Sequence, residues 1–188
     1  IFENKAKEYN RKINCHLKID TGMNRMGVKY NNFKNIIDLS FNNQLLNIQG
    51  IYSHLACSTD KNQKYNEFQI QRFNNVIEYV KTKNKNCFYH LLNSSGIYNY
   101  SKYTYNGVRL GLSIYGISPL EEVDSNLKPV LELKAPVKLI KNIFKGEGIG
   151  YGSTYIATED MKIAIIQCGY ADGLPTYFQN SGKVKYKD

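Results

Sequence analysis

Four cysteines, three histidines and the lack of any long apolar run are the first constraints this 188-residue sequence offers. Cys15, Cys57, Cys87 and Cys168 are widely separated, with no CxxC pair and no histidine at ligand spacing. That argues against a zinc site or a secreted disulfide framework, and suits reduced thiols in the cytoplasm; no metal is expected. Nothing approaches the roughly 18 consecutive apolar residues of a membrane span, and no basic start with a small-residue cleavage site marks a signal peptide, so no membrane partner is expected. The chain carries 25 Lys+Arg against 16 Asp+Glu, a formal charge of +9. Its lysines are scattered among asparagines, as at 81–86 and 183–187, and form no basic stripe interleaved with aromatics that could track phosphates, so a solvated surface is expected and no nucleic-acid partner. Internal repeats and low-complexity tracts are also absent. The first residue is Ile1, not Met, and both ends look cut.

The residues present read as a globular protein: 42% are hydrophobic and 13% aromatic, enough apolar surface to offset the entropy of ordering. Short apolar runs at 13–19, 49–55, 87–92 and 107–117 read as strands. After the first two come helical patterns at 31–41 and 65–81, the second with Phe68, Phe73, Val76, Ile77 and Val80 on one stripe. Strand-then-helix repetition predicts a parallel sheet or barrel. Beyond Pro119 and the acidic turn at 121–124 the pattern becomes plain strands at 130–133, 137–144, 163–168 and 183–186. A second, all-β domain is therefore expected from about Leu127, giving domains 1–126 and 127–188.

Polar residues gather where the predicted strands end, the edge at which such folds build active sites. His54 and His90 both fall there. A lone histidine is usually a surface or core residue, but two of three at strand ends favour function. The run at 18–27 joins Lys18, Asp20 and Arg25 with two glycines; it reads equally as an Asp/Thr-capped loop with a surface arginine or as a guanidinium placed for a carboxylate or phenolate. Asn93, Ser94, Ser95 and Gly96 offer hydroxyls and N–H groups at a helix start, and Gly111 with Leu112 offers a second close-approach backbone; two such seats suggest a phosphate. Tyr151 lies in a glycine-flanked turn. Such tyrosines are common, yet a phenol can act as acid or base where neighbouring cations lower its pKa, with Arg25 a candidate neighbour.

Six blocks carry a stronger signal: HLKIDTGMNRMG at 16–27, YSHLA at 52–56 with Asp60, HLLNS at 90–94, VRLG at 108–111 running on to Tyr115 and Gly116, GYG at 150–152, and GYADG at 169–173. In this order they resemble the signature blocks of the alanine racemase family, across nearly the whole chain. The resemblance implies an α/β fold: the C-terminal portion of a (β/α)8 TIM-like barrel holding pyridoxal 5'-phosphate, then the start of an all-β domain. It implies a homodimer with shared active sites, interconverting L- and D-alanine by two bases and supplying D-alanine for cell-wall peptidoglycan.

By the same resemblance Tyr151 matches the catalytic tyrosine, Arg25 the arginine that meets the substrate carboxylate, and Tyr170 a tyrosine near the substrate entrance. Arg109 matches the arginine facing the pyridine nitrogen, where a permanently charged guanidinium disfavours ring protonation. His54 matches a ring-contacting histidine and His90 a histidine supporting Arg109. Ser94, Gly111 and Leu112 match phosphate contacts, and Lys18 a lysine carbamylated in many members. Leu110 departs from a common proline. No lysine here has the context of the Schiff-base lysine, so the 188 residues alone are expected to be inactive. Serine or broad-specificity racemases of the family are alternatives. A non-catalytic pyridoxal-phosphate barrel protein and a decarboxylase of this fold type are others, but neither accounts for the glycine-flanked Tyr151.

Overall fold

A computed structural model describes residues 2–83, 85–122 and 125–186. The chain divides into two units, Ile1–Leu131 and Glu132–Asp188.

In the first unit, strands β1 (Ile13–Asp20), β2 (Val28–Lys29), β3 (Leu46–Tyr52) and β4 (Phe88–His90) form one parallel sheet in the order β2-β1-β3-β4. Gly107 adds a single parallel bridge to His90. Helices α1 (Phe2–Glu8), α2 (Phe33–Asn42), α3 (Lys64–Lys81) and α4 (Ser94–Asn99) complete the unit. Helix α3 follows from its apolar spacing: Ile70, Phe73, Val76, Ile77 and Val80 recur every three or four residues and are buried against Ile19, Ile37, Ile51, Leu91 and Leu92. Phe68, expected on that stripe, is exposed instead and lies beneath the Arg72 guanidinium, 3.9 Å from ring centroid to Cζ. Along β1 the pleat sends Leu17 and Ile19 to the core and Asn14, His16 and Lys18 to the other face.

The predicted strand at 107–117 is not one. Backbone pairing stops once Arg109 donates its N–H to Leu92 O, and residues Leu112–Tyr115 wind into a 3-10 turn closed by Gly116 at φ +74°. Helix α4 lacks apolar periodicity but begins where a helix start was expected, at Asn93, whose side chain accepts from Gly96 N at 2.9 Å.

The second unit contains no α-helix among the described residues. Strands β5 (Val137–Ile143) and β8 (Met161–Ile166) pair antiparallel, and β6 (Gly148–Ile149) with β7 (Tyr155–Ile156) forms a short hairpin that the sequence pattern did not reveal. The stretches 130–133 and 183–186, expected as strands, are irregular. Val130 makes one backbone bond, to Tyr115 O, where a strand would need a ladder.

Candidate functional site

Arg109 is the centre of the polar cluster at the C-terminal ends of β3 and β4. Its Nη1 donates to His90 Nδ1 at 2.6 Å and to His90 O at 3.3 Å. Its Nη2 reaches Ser53 O at 2.7 Å, Leu91 O at 3.0 Å and His54 Nδ1 at 3.0 Å. The guanidinium also lies over the Tyr52 ring, 5.1 Å from its centroid. Four of its five N–H groups are thus occupied by protein, and Nε–H has no protein acceptor among the described residues.

Because a guanidinium offers donors alone, both histidines must turn a lone pair on Nδ1 toward it and carry their proton on Nε2. Burial and then the Arg109 charge push both rings down, to a pKa of about 4, with Arg25 and Lys18 adding to the effect on His54 and His16 to that on His90. Both are neutral at pH 7. His54 Nε2–H and the Asn93 amide are then two donors 3.4 Å apart, which leaves the histidine proton free for an incoming acceptor.

Lys18 projects from β1 toward the same cluster, its Nζ 5.7 Å from the Tyr52 centroid. Burial, then Arg25 and Arg109, lower its pKa against the opposing pull of Asp20. Lys18, Arg25 and Arg109 therefore make a cationic rim suited to anions, a carboxylate or phosphate. Arg25 rides an exposed loop whose base is fixed. Asp20 Oδ1 accepts from Gly22 N and Asn24 N, both at 3.0 Å; Tyr65 OH donates to Gly22 O at 2.7 Å, and Arg72 Nη1 to Thr21 O at 3.3 Å. Fully buried Gln69 ties this loop to the one bearing His54, since its Nε2 reaches Thr21 Oγ1 and His54 O while its Oε1 accepts from Ala56 N.

The residues of the two expected anion seats lie together. Buried Ser94 Oγ accepts from Gly111 N at 2.8 Å and lies 3.5 Å from Ser113 N, at the turn that begins with Leu112. Ser113 Oγ is buried with no partner, an unmet group that a phosphate oxygen would satisfy.

Tyr151 and Tyr170 belong to the second unit. Tyr151 sits at the tip of the β6–β7 hairpin between Gly150 and Gly152, at φ +73° and +72°, and is 96% exposed. Tyr170 opens a 3-10 turn and is also exposed, with Asp172 Oδ2 accepting from Gly169 N at 2.9 Å. A concavity of about 360 Å³ lies at the opposite end of the sheet, around Lys12, Phe41, Leu46 and Lys85, and contains none of these residues.

Sequence reasoning singled out neither Tyr52, which stacks on His90 at 4.8 Å and 5°, nor His16, whose Nδ1 is 2.8 Å from His90 Nε2. Period-two spacing with Lys18 put His16 on the site's face and was the available signal. Gln69 and Ser113 gave none.

Known proteins resemble this chain in sequence and in fold. The family profile described as "Alanine racemase, N-terminal domain" matches residues 2–119, and "Alanine racemase, C-terminal domain" matches 130–188. Alanine racemase of Francisella philomiragia is 37% identical over 186 residues, 97% of this chain and 51% of that protein. The structure of alanine racemase from Streptomyces coelicolor superposes with a TM-score of 0.86 at 26% identity, covering 96% of this chain and 49% of that one. That of Bartonella henselae, with covalently bound pyridoxal phosphate, superposes with a TM-score of 0.76 at 27% identity, covering 94% and 48%. The chain spans about half the length of the curated relatives it matches.

Proposed function

The chain belongs to the alanine racemase family, and from that premise we propose that its protein interconverts L- and D-alanine with pyridoxal 5'-phosphate, supplying D-alanine for peptidoglycan from the cytoplasm. The observation that carries this reading is the Arg109 guanidinium, held on four sides by protein with Nε–H to spare. Such a donor suits an unprotonated pyridine nitrogen. The buried, unpartnered Ser113 Oγ beside Ser94 and the Gly111 backbone suits the phosphate, so the residues present fit the cofactor.

The cofactor, when bound, withdraws charge from the substrate's α-carbon. What this chain adds is placement and proton handling. Arg109 faces the ring nitrogen without surrendering a proton, which keeps the electron sink moderate and favours proton exchange over side reactions. His90 holds Arg109 at Nη1, and His54 presents an Nε2–H toward the ring. Ser94, Gly111 and Leu112 seat the phosphate. Arg25 meets the substrate carboxylate, Lys18 holds Arg25 once carbamylation turns its cation into an anion, and Tyr170 lines the entrance. Tyr151 Oη removes or returns the α-proton on one face; the other face falls to a lysine that no residue of this chain matches. An exposed phenol on a glycine-hinged hairpin suits delivery into a partner subunit's site, hence a homodimer with shared sites. On this reading residues 1–126 are the C-terminal portion of a (β/α)8 barrel and 127–188 the start of an all-β domain.

The test replaces Tyr151 by Phe in the full-length protein. Exchange of the α-proton in one direction should fall at least a hundredfold, the usual worth of a positioned acid or base, while cofactor absorbance persists. Rates unaffected in both directions would remove Tyr151 from the chemistry.

A further inference from the structure

Tyr52 stacks flat against His90, which restrains the imidazole against tilting but leaves it able to slide in its own plane. Two hydrogen bonds at opposite nitrogens stop that slide: Arg109 at Nδ1, and His16 at Nε2 across 2.8 Å. The direction of the second bond follows from the first. Arg109 can only donate, so His90 Nδ1 accepts, His90 Nε2 carries the proton, and His16 Nδ1 must accept it. We infer that His16 is a positioning residue for Arg109, acting through His90 by taking the Nε2 proton and fixing the imidazole from its far side.

Two further features of the sheet make room for His16 and aim it. The pairing of β1 with β3 slips by one residue between Cys15 and His16, skipping Gln49, so that His16 faces Gly50. A bulge of this kind re-aims a side chain next to a site. At Gly50 a Cβ would stand 2.5 Å from His16 Nδ1 and 2.7 Å from Phe88 O, so the missing side chain is the space that the imidazole crosses on its way to His90. His16 itself is exposed, so burial does not hold it there, whereas the His90 proton that it accepts is shielded, with His90 8% exposed.

The consequence for turnover rests on the racemase reading; the hydrogen bond does not. Two measurements on the full-length protein separate them. In proton and nitrogen spectra of ring-labelled histidine, His90 should show a solvent-protected Nε2–H that disappears in His16→Phe and returns in His16→Asn, whose side-chain oxygen replaces Nδ1 as acceptor. In turnover, His16→Phe should lose about threefold to tenfold in kcat, the worth of one neutral hydrogen bond, with KM within about twofold and recovery in His16→Asn. A protected resonance unchanged in His16→Phe, or a drop in kcat that His16→Asn fails to restore, overturns the inference. A resonance that behaves as described in a protein without racemase activity sustains the relay and sinks the function instead.

Discussion

Lowering the pH from 7.5 to 5 should destabilise the first unit through His54 and His90. Each ring has a folded pKa of about 4 against a reference of 6.5, with burial the larger cause and the Arg109 cation the next. Below pH 6.5 the unfolded chain binds protons that the folded site refuses, so stability falls as pH falls from 6.5 and levels off below 4. At pH 5 the linkage amounts to about 2 kcal/mol for each ring. Solvent reaching the incompletely buried imidazoles screens part of this, so about 2 kcal/mol for the pair is the expected loss. Asp20 and Asp38, both held below the usual carboxylate range, leave the window between pH 6.5 and 5 to the histidines. Urea unfolding midpoints of the cofactor-free, full-length protein, followed across that window, measure the effect. Replacing His54 or His90 by Gln should remove that ring's share, and Arg109→Met should make the limb shallower without abolishing it. A midpoint that yields less than about 0.5 kcal/mol between pH 7 and 5, or a slope indifferent to Arg109→Met, would refute the neutral-histidine arrangement.

Gln69→Leu should cost about 3 kcal/mol in the same urea assay, because it removes a fully buried amide and leaves Ala56 N–H and His54 C=O unmet; a loss below about 1 kcal/mol would mean that the two loops do not depend on it. Ser94→Ala should weaken cofactor binding by about tenfold, read by fluorescence titration, since Gly111 N loses its acceptor and the turn at Leu112 its anchor. Unchanged affinity would move the phosphate elsewhere.

Elements were legible in the sequence where a single periodicity governed them. Helix α3 repeats its apolar residues every three or four positions because one face meets the sheet, and strands β1 and β3 are bounded by turn residues. Residues 107–117 misled because Val108, Leu110, Leu112 and Ile114 alternate as strand residues do, while the backbone bends at Gly111 and all four stay exposed. Residues 130–133 and 183–186 misled for a related reason: β-propensity describes a side chain's fit to a pleated surface, and a strand exists only where a neighbour supplies the ladder. The β6–β7 hairpin escaped notice since two-residue strands leave no pattern, though Gly150 and Gly152, both at positive φ, marked its turn.

The site was legible in its charged and hydroxylic residues and illegible in what aims them, and the difference lies in the distance over which each kind of information is stored. Lys18, His54 and His90 announce themselves because polar groups at strand ends are local facts about a strand and its first loop residues, whereas Arg109, on no strand, was singled out by resemblance. The grip of Gln69 on Thr21 and His54, the stacking of Tyr52 on His90 and the meeting of His16 with His90 join residues up to 74 positions apart. Register predicts the last two. Once β1 is known to run parallel to β3 with a slip at Cys15, His16 must face Gly50, and once β3 pairs with β4, Tyr52 must face His90. The glycine at 50 is the trace that this tertiary requirement leaves in the sequence. A larger residue there would suit strand propensity better and would leave His16 no room to reach the ring that holds Arg109.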